Sequence, residues 1–174
     1  NEANNFIDAS TGPLGQGFAT AVGMAIAQKH ISNKLGKYSD LIDNFTYVVC
    51  GDGDLQEGIT YEASAIAGKY ELNKLIVLHD SNKYQLDSSV EKVSIENLKQ
   101  RFESNNWNYL KCSNDPKEIE AAIKKAHLSK SKPTFIEVET IIAEGLKSQS
   151  SNKGHHGVVN DDDLDQFLKY HHLN

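Results

Sequence analysis

Four short runs of β-forming residues alternate with stretches of helical character, and this alternation restricts the chain more than any other feature. The runs are "FTYVVC", "KLIVLHD", "WNYLKC" and "PTFIEVET". They predict strands over residues 46–50, 74–80, 107–111 and 134–141. Between and before them lie residues 16–35, 58–70, 94–106 and 115–129, all of helical character. Parallel neighbours in a sheet need long crossovers, usually helical, so the pattern predicts an α/β fold: a parallel sheet with helices on both faces. Four strands are few for a doubly wound sheet. The chain is therefore read as a single partial domain over residues 1–174, a piece of something longer.

The helices differ in kind. The first carries Ala19, Ala21, Gly23, Ala25 and Ala27, small residues that suit either an internal contact or a subunit contact. In the third, Ile95, Leu98 and Phe102 fall at helical spacing, with Ser94 and Asn97 as capping candidates. The fourth has Pro116 in its first turn and Ile119, Ala122, Ile123 and Ala126 on one face. Residues 81–93 predict a polar loop, and the tail beyond Gly145 is polar.

Composition narrows the function classes. The chain of 174 residues is 39% hydrophobic and 24% charged, which fits a soluble globular domain with a core. A net charge of −6 argues against a broad nucleic-acid or membrane surface, since either would want a basic face. No apolar run approaches a membrane span. Two cysteines, Cys50 and Cys112, have no zinc or disulfide spacing and are read as reduced residues of a cytoplasmic protein.

The first strand ends in "GDGDLQEG" and the second in "HDSN". In parallel α/β sheets, ligands bind beyond the carboxyl ends of the strands. Asp52 and Asn82 follow two such ends, one strand–helix–strand unit apart. If the strands are neighbours, two hard oxygen donors meet there, as a hexacoordinate Mg²⁺ requires. Glycines on either side of Asp52 would let a diphosphate approach the main-chain N–H groups. The helix beginning near Gly58 would add the positive end of its dipole. Alone, Gly-Asp-Gly is only a turn after a strand; the second strand end turns the balance toward a site. No Gly-Lys-Ser/Thr occurs for a Walker A loop, and the third glycine, Gly58, comes too late for a G-x-G-x-x-G fingerprint.

"GDGDLQEG" followed by "HDSNKYQLD" resembles the thiamine diphosphate and Mg²⁺ motif of transketolases. "TGPLGQGFATAVGMAIA" is similar to a more selective segment of the same family, and "GHHGVV" resembles its catalytic His-Gly. The resemblance covers roughly residues 9–160. It implies that Asp52 and Asn82 bind Mg²⁺ (or Ca²⁺ or Mn²⁺) through their side chains, with the Tyr84 carbonyl as a third protein ligand. It implies that Gly53 places its N–H at the diphosphate, with Asn82 part of the same cofactor site. Gly12 and Leu14 would line the pyrimidine side, and Ile142 would pack on the thiazolium. His156, with His155 as the competing choice, would stand beside diphosphate and substrate. Glu57 would be a dimer-interface carboxylate linking two active sites; without the family it is simply an acidic group in a first helical turn.

The implied activity is transfer of a two-carbon ketol unit between sugar phosphates in the pentose phosphate pathway, by a cytoplasmic homodimer. This chain would supply the diphosphate and metal half of the site. The upstream histidines, and the second domain that grips and activates the aminopyrimidine, are not among these residues. The alternatives are another thiamine diphosphate enzyme, such as a 2-oxo acid dehydrogenase component or a deoxyxylulose-phosphate synthase, and a non-catalytic cofactor-binding module that needs a partner chain.

Overall fold

The strand with the longest apolar run lies inside the sheet. "LIVLHDS", strand β2 (Leu75–Ser81), is buried on both faces over most of its length, as a central parallel strand must be. In the computed structural model, which describes residues 7–156 and 159–173 apart from the side chain of residue 156, β2 sits between β1 (Thr46–Gly51) and β4 (Thr134–Glu139). Strand β3 (Asn108–Ser113) pairs with the far side of β4. All three pairings are parallel and the order is β1-β2-β4-β3. The expected parallel α/β sheet is present, and its last strand ends at Glu139, two residues short of the expectation.

Six helices are described: α1 (Gln16–Leu35), α2 (Gly58–Lys69), α3 (Leu98–Ser104), α4 (Pro116–His127), α5 (Lys153–His156) and α6 (Asp161–Tyr170). From β1 to β2 and from β2 to β3 the chain crosses by α2 and α3. From β3 it turns back, through α4, to insert β4 between the two strands already passed. A right-handed crossover in the reverse direction must use the opposite face of the sheet. The two cores agree. Residues of α1, α2 and α3 pack with Leu75, Val77 and Phe135 on one face. Ala122 and Ala126 of α4 pack with Ile76, Ile136 and Val138 on the other.

The larger core is aromatic at its centre. Phe102 stacks on Phe135 with ring centroids 3.9 Å apart, and Trp107 meets Phe102 edge-on at 5.2 Å. The indole N–H of Trp107 donates to the Ser64 carbonyl at 2.8 Å, so the buried ring keeps its polar atom satisfied. Helix α2 passes very close to the end of α3: a Cβ on Gly68 would lie 1.6 Å from the Asn105 carbonyl oxygen. Only glycine fits there.

Several local expectations need correction. Helix α3 begins at Leu98, because Asn97 turns its side chain onto the Gln100 N–H at 3.0 Å and caps the helix there. Ile95 therefore lies outside the helix and is fully exposed. Ser94 instead accepts from the Glu96 N–H. Asp115 caps α4 through the N–H groups of Lys117 and Glu118, with Pro116 in the first turn as expected. The tail contains α6, which the polar reading missed; Asn160 and Asp163 form a reciprocal capping box at its start. On α1, the side turned inward comprises Phe18, Ala21, Val22 and Ala25, while Gly23 and Ala27 are exposed.

Candidate functional site

Strand register brings the two marked chain ends together. Gly51 pairs with Asp80, so Asp52 and Asn82 leave adjacent strands at the same edge. Asp52 is 7% exposed. Its Oδ2 accepts the Lys83 main-chain N–H at 2.8 Å, and its Oδ1 lies 3.1 Å from Nε2 of His79. Asn82 Oδ1 accepts the Tyr84 N–H at 2.9 Å, closing a turn in which Lys83 adopts φ 67°. One short loop, 82–84, thus carries the Asn82 amide, the Tyr84 main chain, and an N–H bonded to Asp52. The loop is folded back on itself, with a bridge between Tyr84 and Ser89 and a bond from Val90 N–H to the Lys83 carbonyl.

A second aspartate, Asp54, organises the other side. Its Oδ2 accepts the Gly51 N–H and its Oδ1 the Gly15 N–H, both at 2.8 Å. It ties the start of α1 to the end of β1. Gly15 has φ 76°, and a Cβ there would meet Ile59, Glu57 and Thr60 at 2.8–3.0 Å, so the contact needs glycine twice over. The tie brings the "GPLG" stretch to the "GDGD" turn: a Cβ on Gly53 would touch Leu14 Cδ1 at 3.4 Å. Leu14 is half-exposed, and Gly12 is exposed with open space around it.

The turn after Asp52 differs from expectation. A short 3₁₀ turn, Asp54–Gln56, intervenes before α2, so the first N–H groups beyond Gly53 belong to that turn and not to the long helix. Gly53 itself has ordinary right-handed angles, φ −66° and ψ −39°; its value lies in space and not in φ. Glu57 is the N-cap of α2 and not a first-turn residue. Its side chain makes no capping bond and is exposed. The 3₁₀ turn is held from the side by Arg101, which is buried, donates to the Leu55 carbonyl at 2.7 Å and stacks on Tyr61.

Ile142 is half-buried in the turns after β4. It packs against α5, where a Cβ on Gly154 would meet its Cγ1 at 3.0 Å. Asn152, just before α5, donates to the Asp87 carbonyl at 3.2 Å, linking this segment to the loop of Tyr84. The backbone of His156 ends α5; its side chain, and Gly157, lie outside the described residues. His155 is exposed.

Sequence reasoning missed His79, Asp54 and a charged group beside the site. Glu137 is buried on β4 and takes hydrogen bonds from Tyr109 at 2.6 Å, Lys83 Nζ at 3.0 Å and Ser81 at 3.2 Å. Burial pushes its carboxyl up. The hydrogen bonds from Tyr109 and Lys83, with the charges of Lys83 and Lys111, more than reverse this and hold it at about 2. The Lys83 side chain is thereby drawn to Glu137 while its N–H serves Asp52. A cavity of about 410 Å³ opens here, lined by Asp52, Gln56, Lys83, Tyr84, Tyr109 and Glu137 among others.

The donor set has a definite character. Among the described residues, no group of three or more His, Cys, Asp or Glu side chains gathers that could hold a metal. One buried carboxylate, one amide oxygen and a main-chain carbonyl would have to serve. These are hard oxygens, few in number, and they fit a cation such as Mg²⁺ that keeps water and shares phosphate oxygens. They do not fit a soft or closed site.

Comparison with known proteins gives the family. Residues 1–173 match the family described as transketolase, thiamine diphosphate binding domain. The chain is 57% identical over 167 residues to the transketolase of Mycoplasma genitalium, covering 95% of this chain and 26% of that protein. Against the Bacillus subtilis transketolase it is 48% identical over 155 residues, covering 87% and 23%. Among solved structures, Campylobacter jejuni transketolase superposes with a TM-score of 0.88 at 41% identity, covering 94% of this chain and 26% of that one. A Pichia stipitis transketolase complexed with sedoheptulose 7-phosphate gives 0.89 at 36% identity, covering 94% and 25%. The chain spans about a quarter of the length of the curated relatives it matches.

Proposed function

Because this chain belongs to the transketolase family, as its thiamine diphosphate-binding domain, we propose that it supplies the diphosphate and metal half of a ketol-transferring active site. The observation that carries the assignment to particular residues is the loop 82–84. It holds the Asn82 oxygen and the Tyr84 main chain beside a buried Asp52 carboxylate bonded to the Lys83 N–H. Asp52, Asn82 and the Tyr84 carbonyl are proposed to hold Mg²⁺, with Ca²⁺ or Mn²⁺ as substitutes, and Gly53 to present its N–H to the diphosphate.

Thiamine diphosphate, when bound, supplies the electron sink for cleavage and transfer of a two-carbon ketol unit. The chain's own part is to bind, orient and exclude water. Leu14, packed near Gly53, and the half-buried Ile142 offer apolar surface to the cofactor's rings. Gly12 leaves its main chain open for contact at the pyrimidine. His156 is proposed to hold substrate and move a proton, since an imidazole beside a sugar hydroxyl can do either near neutral pH. Glu57, exposed beside the α1–α2 junction, is proposed to meet a second copy of the protein. The full proposal is a homodimer acting on sugar phosphates in the pentose phosphate pathway. It includes a cytoplasmic setting, in keeping with two free cysteines. Among the described residues no helix is long and apolar enough to cross a membrane.

Calorimetric titration of the intact protein with thiamine diphosphate, with and without Mg²⁺, tests the assignment. Asp52→Ala is expected to abolish the Mg²⁺-dependent component of binding. Binding that is equal in the variant and the parent would leave Asp52 as a loop fastener only.

A further inference from the structure

We propose that His79 is a positioning residue: its Nε2–H fixes the Asp52 carboxylate in the orientation that a divalent cation needs, and so sets the affinity of the metal site. This rests on the cation reading of Asp52 given above. His79 lies on β2, paired in register with Cys50 on one side and Glu137 on the other. It is fully buried, with 0% exposure, and its ring lies 5.5 Å from that of Phe135. An imidazole in such a place needs a reason, because a buried polar group without a partner costs about 1–3 kcal/mol.

The ring has one polar partner among the described residues. Nε2 is 3.1 Å from Asp52 Oδ1, and Nδ1 is buried with no hydrogen-bond partner. These two facts choose the tautomer. A proton on Nδ1 would be a buried donor with nothing to accept it, and it would turn the Nε2 lone pair against a carboxylate. A proton on Nε2 makes the hydrogen bond and leaves Nδ1 as a bare acceptor, the cheaper of the two omissions. His79 is therefore the donor.

Asp52 is then gripped at both oxygens: Oδ1 by the side chain of β2, Oδ2 by the Lys83 N–H of the following loop. Two donors on different atoms fix the carboxylate's rotation, and each oxygen retains a second lone pair for an external ligand. The same loop carries the other two proposed ligands. His79 thus aligns the one anionic ligand with a loop that already carries its partners. Loss of a partner that orients a metal ligand commonly weakens metal binding by about 10–100-fold.

The test is Mn²⁺ titration of the intact protein in the presence of inorganic pyrophosphate, followed by electron paramagnetic resonance. The parent is compared with Asp52→Asn, His79→Leu and His79→Gln. Gln can place an N–H near the position of Nε2; Leu cannot. Expected are loss of Mn²⁺ binding in Asp52→Asn, weakening of about 10–100-fold in His79→Leu, and recovery of most of that loss in His79→Gln. Parent-like binding in Asp52→Asn would overturn the cation reading itself. Loss in Asp52→Asn together with parent-like binding in His79→Leu would overturn the role of His79 alone. Nitrogen NMR of the parent gives a readout that no variant's folding can obscure. A proton on Nε2 is expected, and an Nε2 that carries none would overturn the proposal.

Discussion

A carboxylate inside a sheet normally costs stability, yet Glu137 is held as an anion by hydrogen bonds from Tyr109, Ser81 and Lys83 and by the added charge of Lys111. Its folded-state value of about 2 lies below the roughly 4.3 of an unfolded glutamate. A lowered carboxyl contributes stability that is complete above the unfolded value and is lost as pH falls through the folded one. Between about pH 5 and pH 2 the domain should therefore lose on the order of 2 kcal/mol from this group. Urea denaturation at several pH values would show it, and Glu137→Gln should flatten the profile in that window. A variant as acid-sensitive as the parent would assign the loss to other carboxylates. Legibility at this scale followed sequence distance. Asp52 and Asn82 were readable because each stands at the end of a recognisable strand. Asp54, His79 and Glu137 were not, because Gly15, Asp52 and Ser81, which each of them in turn reaches, lie 39, 27 and 56 residues away, and no local pattern encodes such pairs.

Elements were readable where one physical cause dominated. Strand β2 is apolar because it is buried on both sides, and α4 announces itself by Asp115, Pro116 and an apolar face. Replacing Asp115 with Ala removes the acceptor of two N–H groups and should cost about 1 kcal/mol. Thermal unfolding of the variant should show a lower midpoint with an unchanged fold by circular dichroism; an unchanged midpoint would mean that water caps the helix equally well. Where causes competed, the reading slipped. Ile95 fits the helical spacing of Leu98 and Phe102, but the Asn97 cap starts α3 after it. Helix α6 hides in "DDDLDQFLKY", whose acids look like a solvated tail; Asp161, Asp162 and Asp163 sit in its first turn, where the helix dipole favours them. The 3₁₀ turn after Gly53 is set by Asp54 and Arg101, contacts that arise only once the sheet exists.

For the whole molecule, the parallel sheet and its cover on both faces were legible from the alternation of strands and helices, whereas the strand order was not, since nothing local marks β4 for insertion between β2 and β3. The chain spans about a quarter of its curated relatives, and the group that would activate the aminopyrimidine is not among the candidates found here. A positioned general acid or base contributes about 10²–10⁴-fold. The 174-residue chain by itself is therefore expected to show no measurable ketol transfer from a ketose phosphate to an aldose phosphate in a coupled assay. A longer protein containing it should be active, and His156→Ala should then lower turnover. Transfer by the isolated chain would place the activating group within these residues. The strand order has one more consequence. Strand β4 is made last of the four and belongs between β2 and β3. During synthesis on the ribosome, everything up to Lys132 can emerge while the sheet still has a gap in its middle. Through that interval β2 and β3 each present an unpaired edge, the kind of surface that invites pairing with another chain. Emergence of the six residues Thr134–Glu139 closes both facing edges at once, so these four strands are joined in a single late step at their centre.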